Sequence, residues 1–82
     1  MYTVYILKCA DDTFYTGITN DLEKRIHEHS TAPAGAKYTR GRRPVTLAYS
    51  EKADTRSEAL QREAAIKKLS RREKLQLMDE AK

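Results

Sequence analysis

The 82-residue chain has no tryptophan, one phenylalanine and one cysteine. A lone Cys9 excludes an intramolecular disulfide and suits a reducing cytosol, where it is expected to serve as a small buried hydrophobe in a strand. No Cys/His spacing matches a zinc site. No apolar run approaches the ~20 residues that cross a bilayer. The N-terminus also lacks the basic-then-apolar order of a secretory signal, so a soluble, cytoplasmic protein is expected. The length allows one domain, residues 1–82, with one thin core. Hydrophobic residues make up 39% of the chain. That is enough to fold with little to spare, so a polar residue on an inward face needs a reason.

What the chain does have is tyrosine and positive charge. Three of its five tyrosines fall in "YTVYILKCADDTFYTG", residues 2–17. Sixteen Lys and Arg stand against twelve Asp and Glu, a net charge of +4. This favours a polyanionic partner such as nucleic acid without identifying one.

Residues 2–9, YTVYILKC, are mostly apolar on both alternating sets, which predicts a central strand. "ADDT" reads as a turn and "FYTGI" as a second strand, together a β-hairpin. If the hairpin loop is odd-numbered, Tyr5 and Tyr15 share a face of the sheet; if even, they oppose. Asn20 with Glu23 reads as a capped helix start, and the helix is expected to run to about His29 with Leu22, Arg25, Ile26 and His29 inward. Residues 30–43 are loop-like. "PVTLAYS", 44–50, predicts a third strand burying Val45, Leu47 and Tyr49 on one face. Thr55 with Glu58 opens a second helix with Ala59, Leu60, Ala64 and Ile66 on its apolar side and Glu63 amid them. Ser70 with Glu73 opens a third, packed through Leu75 and Met78. The expected fold is α+β: a small three-stranded antiparallel sheet flanked by helices, in the order β-β-α-β-α-α.

Arg25, His29 and Glu63 are thus polar residues on faces that should meet the core. The plain readings are an interhelix Arg25–Glu63 salt bridge, a histidine favoured by the helix dipole, strand tyrosines with hydroxyls at the core's edge, and a bulge at Gly17. As a set, however, a carboxylate, a guanidinium, an imidazole and two phenols suit metal-assisted phosphodiester cleavage. One carboxylate can hold a largely hydrated Mg²⁺, a guanidinium can offset charge on phosphoryl oxygens, and a phenol or imidazole can take a proton from water.

"TVY" at 3–5, "YTG" at 15–17, Arg25 with His29, and Glu63, in this order, resemble the GIY-YIG nuclease domain. The segment GAKYTRGRRPV is similar to one in its short stand-alone bacterial members. The resemblance implies a three-stranded antiparallel sheet with helices around it. It also implies Mg²⁺-dependent cleavage of DNA by a water nucleophile at a single-metal site, with Mn²⁺ as a possible substitute. Tyr5 would be the general base, and Tyr15 would orient the phosphate or the water. Arg25 and His29 would be catalytic, and Glu63 both catalytic and the metal ligand. Gly17 would be structural, admitting a backbone or phosphate. Arg25 and the metal are expected to lower the Tyr5 pKa. Three departures stand out: Thr3 replaces a motif glycine, Ile18 stands where many members have lysine, and no asparagine follows Glu63.

Lys37, Tyr38, Arg40, Arg42 and Arg43 are expected to bind nucleic acid, the cations on phosphates and the ring on a base. The expected function is therefore a DNA endonuclease of low sequence specificity in repair, recombination or processing, with RNA a possible further substrate. The alternatives are a nucleic-acid-binding module with weak or lost catalysis, and a protein-interaction domain in which Tyr5, Arg25 and Glu63 are dispersed. Oligomeric state is left open.

Overall fold

The computed structural model describes residues 1–30 and 45–80, with the side chains of residues 29 and 30 outside the description. The described elements are β1 (Tyr2–Lys8), β2 (Phe14–Thr19), α1 (Leu22–Ser30), β3 (Thr46–Ala53), α2 (Arg56–Lys67) and α3 (Arg71–Glu80). The three strands form an antiparallel sheet in the order β2-β1-β3, and with the helices an α+β fold.

β1 is central because both of its alternating faces are apolar. On one face Val4 and Ile6 join Ala59 and Ile66 of α2 and Met78 of α3. On the other Tyr5, Leu7 and Cys9 join Val45, with Tyr15 of β2 and Leu22 and Ile26 of α1 against them. The sheet therefore separates α1 from α2 and α3. Each fully buried aliphatic side chain contributes roughly 1.5–3 kcal/mol, so Val4, Ile6 and Leu7, all inaccessible to water, anchor both layers.

The hairpin closes on a three-residue loop, Ala10–Asp12, between Cys9 and Thr13, whose backbone groups pair (Cys9 N–H to Thr13 O, 2.9 Å). Asp12 takes φ 64°, the left-handed conformation that ends such a loop. The Asp11 carboxylate accepts from the Thr13 hydroxyl at 2.6 Å and fixes the exit. The loop is odd, so Tyr5 pairs with Gly17 and Leu7 with Tyr15, and the two tyrosines share a face.

Three local expectations are corrected. The cap of α1 is Asp21, not Asn20: its carboxylate accepts from the Lys24 N–H at 3.2 Å, and the Thr19 hydroxyl oxygen accepts from the Asp21 N–H at 3.0 Å. Next, β3 does not alternate simply. Ile6 pairs with Tyr49 but Leu7 with Leu47, so Ala48 is an extra residue and the register shifts. A bulge reverses side-chain parity beyond it. Val45 accordingly joins the cluster under α1, Tyr49 packs against the cluster under α2 and α3, and Leu47 is exposed.

The inward stripe of α2 is also narrower than expected. Ala59 and Ile66 are buried, but Leu60 and Ala64 are exposed; on α3 Met78 is buried while Leu75 is exposed. The helix starts behave as read. The Thr55 hydroxyl oxygen accepts from the Glu58 N–H at 3.1 Å. Ser70 and Glu73 exchange reciprocal bonds at 2.9 and 3.2 Å. A side-chain clasp joins β3 to α2: Arg62 Nε donates to both Glu51 carboxylate oxygens, at 2.9 and 3.0 Å, and the Tyr49 hydroxyl donates to Glu51 at 2.8 Å. It holds the turn of α2 that carries Glu63.

Candidate active site

Strand pairing builds the centre of the site. Tyr5 on β1 lies directly opposite Gly17 on β2, and its ring turns over the glycine. A Cβ on Gly17 would stand 2.6 Å from the Tyr5 hydroxyl oxygen, 2.8 Å from Cζ and 3.2 Å from a Tyr15 ring carbon. No real Cβ tolerates the first two distances, so glycine is required by the position of the phenol. The space expected to admit a phosphate or another backbone is filled by Tyr5 itself. The Tyr15 ring lies 6.4 Å from that of Tyr5, tilted by 38°, within the range of favourable aromatic pairs.

Arg25 reaches this pair from α1, whose cap and partly buried Leu22 and Ile26 set its inward face. The phenols of Tyr5 and Tyr15 favour its charged form, and it meets the Glu28 carboxylate at 3.4 Å one turn along the helix. Burial is the largest single influence and opposes its charge, but the Tyr5 phenol, Glu28 and Tyr15 together outweigh it and hold the guanidinium above its usual pKa. The side chain keeps 30% exposure, so the cation is fixed yet open to solvent.

Tyr5 is 1% exposed. Burial pushes its phenol above the ordinary value of 10.0. The hydrogen bond and charge of Arg25 pull the other way, while Tyr15 and the Glu63 carboxylate add to the rise. The expected lowering by Arg25 is present but loses to burial. At neutral pH the Tyr5 hydroxyl therefore keeps its proton.

Glu63 comes from α2, on the other side of the sheet, with its side chain 19% exposed and 3.6 Å from Lys67 Nζ. Its charge is felt at the Tyr5 hydroxyl. The Arg25–Glu63 salt bridge considered from sequence is not what holds either residue: each pairs within its own helix, with Glu28 and with Lys67. Those two partners went unnamed in the sequence reading, although spacings of three and four residues are where helix neighbours meet.

The structure thus brings Tyr5, Tyr15, Gly17 and Arg25 into contact and leaves Glu63 within electrostatic range of Tyr5. His29 stands in the last turn of α1, and its side chain is outside the described set. Lys37, Tyr38, Arg40, Arg42 and Arg43 also lie outside the described residues. Among the described residues no three His, Cys, Asp or Glu gather as a metal cage. A single partly exposed carboxylate still fits a cation that keeps most of its water, as Mg²⁺ does.

A cleft of about 350 Å³ is lined by Lys8, Phe14, Leu47, Arg71, Leu75 and Met78 and includes none of the candidate residues. No helix of the described residues is long and apolar enough to cross a membrane.

Comparison with known proteins gives a consistent answer. The family profile of the GIY-YIG catalytic domain matches residues 1–76. A UPF0213 protein of Syntrophus aciditrophicus is 57% identical over 75 residues, covering 92% of this chain and 86% of the relative. One from Clostridium perfringens is 58% identical over 78 residues, covering 95% and 83%. The solution NMR structure of a UPF0213 protein from Bacillus halodurans matches with a TM-score of 0.61 at 45% identity, covering 96% of this chain and 84% of the other. That of a protein from E. faecalis matches with a TM-score of 0.65 at 45% identity, covering 95% and 82%.

Proposed function

The chain belongs to the GIY-YIG catalytic domain family, a nuclease family, and on that premise we propose that it is an endonuclease hydrolysing DNA phosphodiester bonds with Mg²⁺, or Mn²⁺ in its place. The observation that carries this reading is the paired Tyr5 and Tyr15 rings with the partly exposed Arg25 guanidinium electrostatically coupled to both phenols and the Glu63 carboxylate felt at the Tyr5 hydroxyl.

Each side chain has a task in this reading. Arg25 offsets charge on the phosphoryl oxygens, work for which one well-placed donor commonly contributes roughly 10²–10³ in rate. Tyr15 orients the phosphate or the attacking water. Glu63 would hold the divalent ion, which when bound would supply positive charge to offset that of the phosphate. Tyr5 begins as a neutral phenol; it can take a proton from water only after giving up its own to solvent as phenolate, which added positive charge would favour against the effect of burial. His29, one turn beyond Arg25, is a second proton carrier. Lys37, Arg40, Arg42 and Arg43 grip phosphates and Tyr38 stacks on a base. Such contacts read little sequence, so specificity is low and the substrate is chosen by structure, as in repair, recombination or processing. RNA is a possible further substrate.

The raised Tyr5 pKa and the Ile18 at a family lysine position favour one other reading, a nucleic-acid-binding module with weak or lost catalysis. Duplex, flap, branched and single-stranded DNA, and matching RNAs, incubated with the chain and Mg²⁺ or Mn²⁺ separate the two. Metal-dependent products support the enzyme. Binding with no product from any substrate supports the module.

A further inference from the structure

Lys67 Nζ stands 3.6 Å from a Glu63 carboxylate oxygen, one helical turn further along α2. The neighbouring cation, Arg62, is engaged by Glu51 of β3, so Lys67 is the described cation paired with this carboxylate. Its own side chain is 56% exposed against 19% for Glu63: the acid is the more sheltered partner and the base the more solvated one. Resting on the reading of Glu63 as the metal-holding residue, we propose that Lys67 is the resident counterion that a divalent ion must displace, and that it thereby sets the metal affinity of the site.

An ammonium offers only donors and cannot join the oxygen shell of Mg²⁺ or Mn²⁺. It competes for the same carboxylate and repels the arriving ion. A pair spaced four residues apart on a helix, with its lysine exposed, is weak and the lysine stem is flexible, so Lys67 can swing aside without disturbing the fold. The site accordingly stays neutralised when metal is scarce and does not fill with the first cation available. Lys67 is a positioning residue here: it acts through Glu63 and needs no contact with the reacting atoms.

The test is Mn²⁺ binding to the full chain without nucleic acid, at fixed salt, followed by titration of free Mn²⁺ and by line broadening near Glu63. Lys67→Met is expected to bind Mn²⁺ roughly three- to tenfold tighter than the wild type, from the charge removed at this distance in a largely solvated setting. Lys67→Arg, which keeps the charge, should stay near the wild type, and in a Glu63→Gln background Lys67→Met should change nothing. If Glu63→Gln loses the site but Lys67→Met binds no tighter than the wild type, the counterion role is overturned and the metal role of Glu63 stands. If Glu63→Gln binds as the wild type does, or the wild type binds no Mn²⁺, both fall.

Discussion

The Tyr5 hydroxyl occupies the space that a side chain on Gly17 would need, the missing Cβ lying 2.6 Å from its oxygen. The two residues face each other across β1 and β2, so the position of a candidate catalytic group is written partly in the absence of an atom on the neighbouring strand.

Gly17→Ala should therefore shift the Tyr5 ring off its place. Overpacking of this kind costs about 1–3 kcal/mol, read by urea denaturation. In a Tyr5→Phe background the same change should cost less, because the nearest clashing atom is gone; equal costs in the two backgrounds would show that the hydroxyl is not what glycine accommodates.

The Tyr5 phenol makes a pH prediction. Its folded-state pKa is raised above the ordinary value of 10.0, first by burial. The folded state thus prefers the neutral phenol, and this contribution is complete below the ordinary value and is lost as pH climbs through the raised one. Stability should fall away more gently with rising alkaline pH in Tyr5→Phe than in the wild type. Removing the Arg25 charge, which pulls the pKa down, should move the Tyr5 titration still higher in Arg25→Gln, followed by the NMR signal of its Cζ. A downward move would reverse the assigned balance.

Thr55 caps the helix that carries Glu63. Thr55→Ala should cost about 1 kcal/mol of stability and, with the Arg62–Glu51 clasp intact, should leave Mn²⁺ binding near the wild-type level. A large loss of binding would mean that the cap, not the clasp, positions Glu63.

Lys37, Arg40, Arg42 and Arg43 are expected to hold phosphates. Replacing one with alanine should weaken binding about equally across DNA sequences and lower the salt dependence by up to ~1 in log–log slope. Anisotropy titrations at several salt concentrations read this directly, and an unchanged slope for all four would remove this segment from the interface.

How far the chain could be read ahead of its structure differed from element to element, for physical reasons. Both faces of YTVYILKC are apolar, and such a strand belongs in the middle of a sheet. The helix starts at Thr55 and Ser70 carry their hydrogen-bond partners three residues on. The facing of Tyr5 and Tyr15 was open because loop length was hidden: Asp12 takes a left-handed conformation more usual for glycine or asparagine. The bulge at Ala48 leaves no mark in composition, so alternation over Val45, Leu47 and Tyr49 was misleading. Leu60 and Leu75 look inward by periodicity, but so small a domain has too little opposing surface to cover them. At the site, residue types could be read along the chain. The contest between burial and Arg25 at Tyr5 could not, since it depends on how completely water is excluded from one hydroxyl.

The central claim is that Glu63 serves divalent-ion-dependent chemistry rather than holding the fold or the substrate. The most direct measurement compares wild type and Glu63→Ala for cleavage and binding of the same labelled branched and duplex DNAs in Mg²⁺ and in Mn²⁺. The account predicts metal-dependent products from the wild type, none from Glu63→Ala, and nearly equal binding by both. Equal cleavage by the two proteins, or loss of binding together with loss of cleavage, would contradict it.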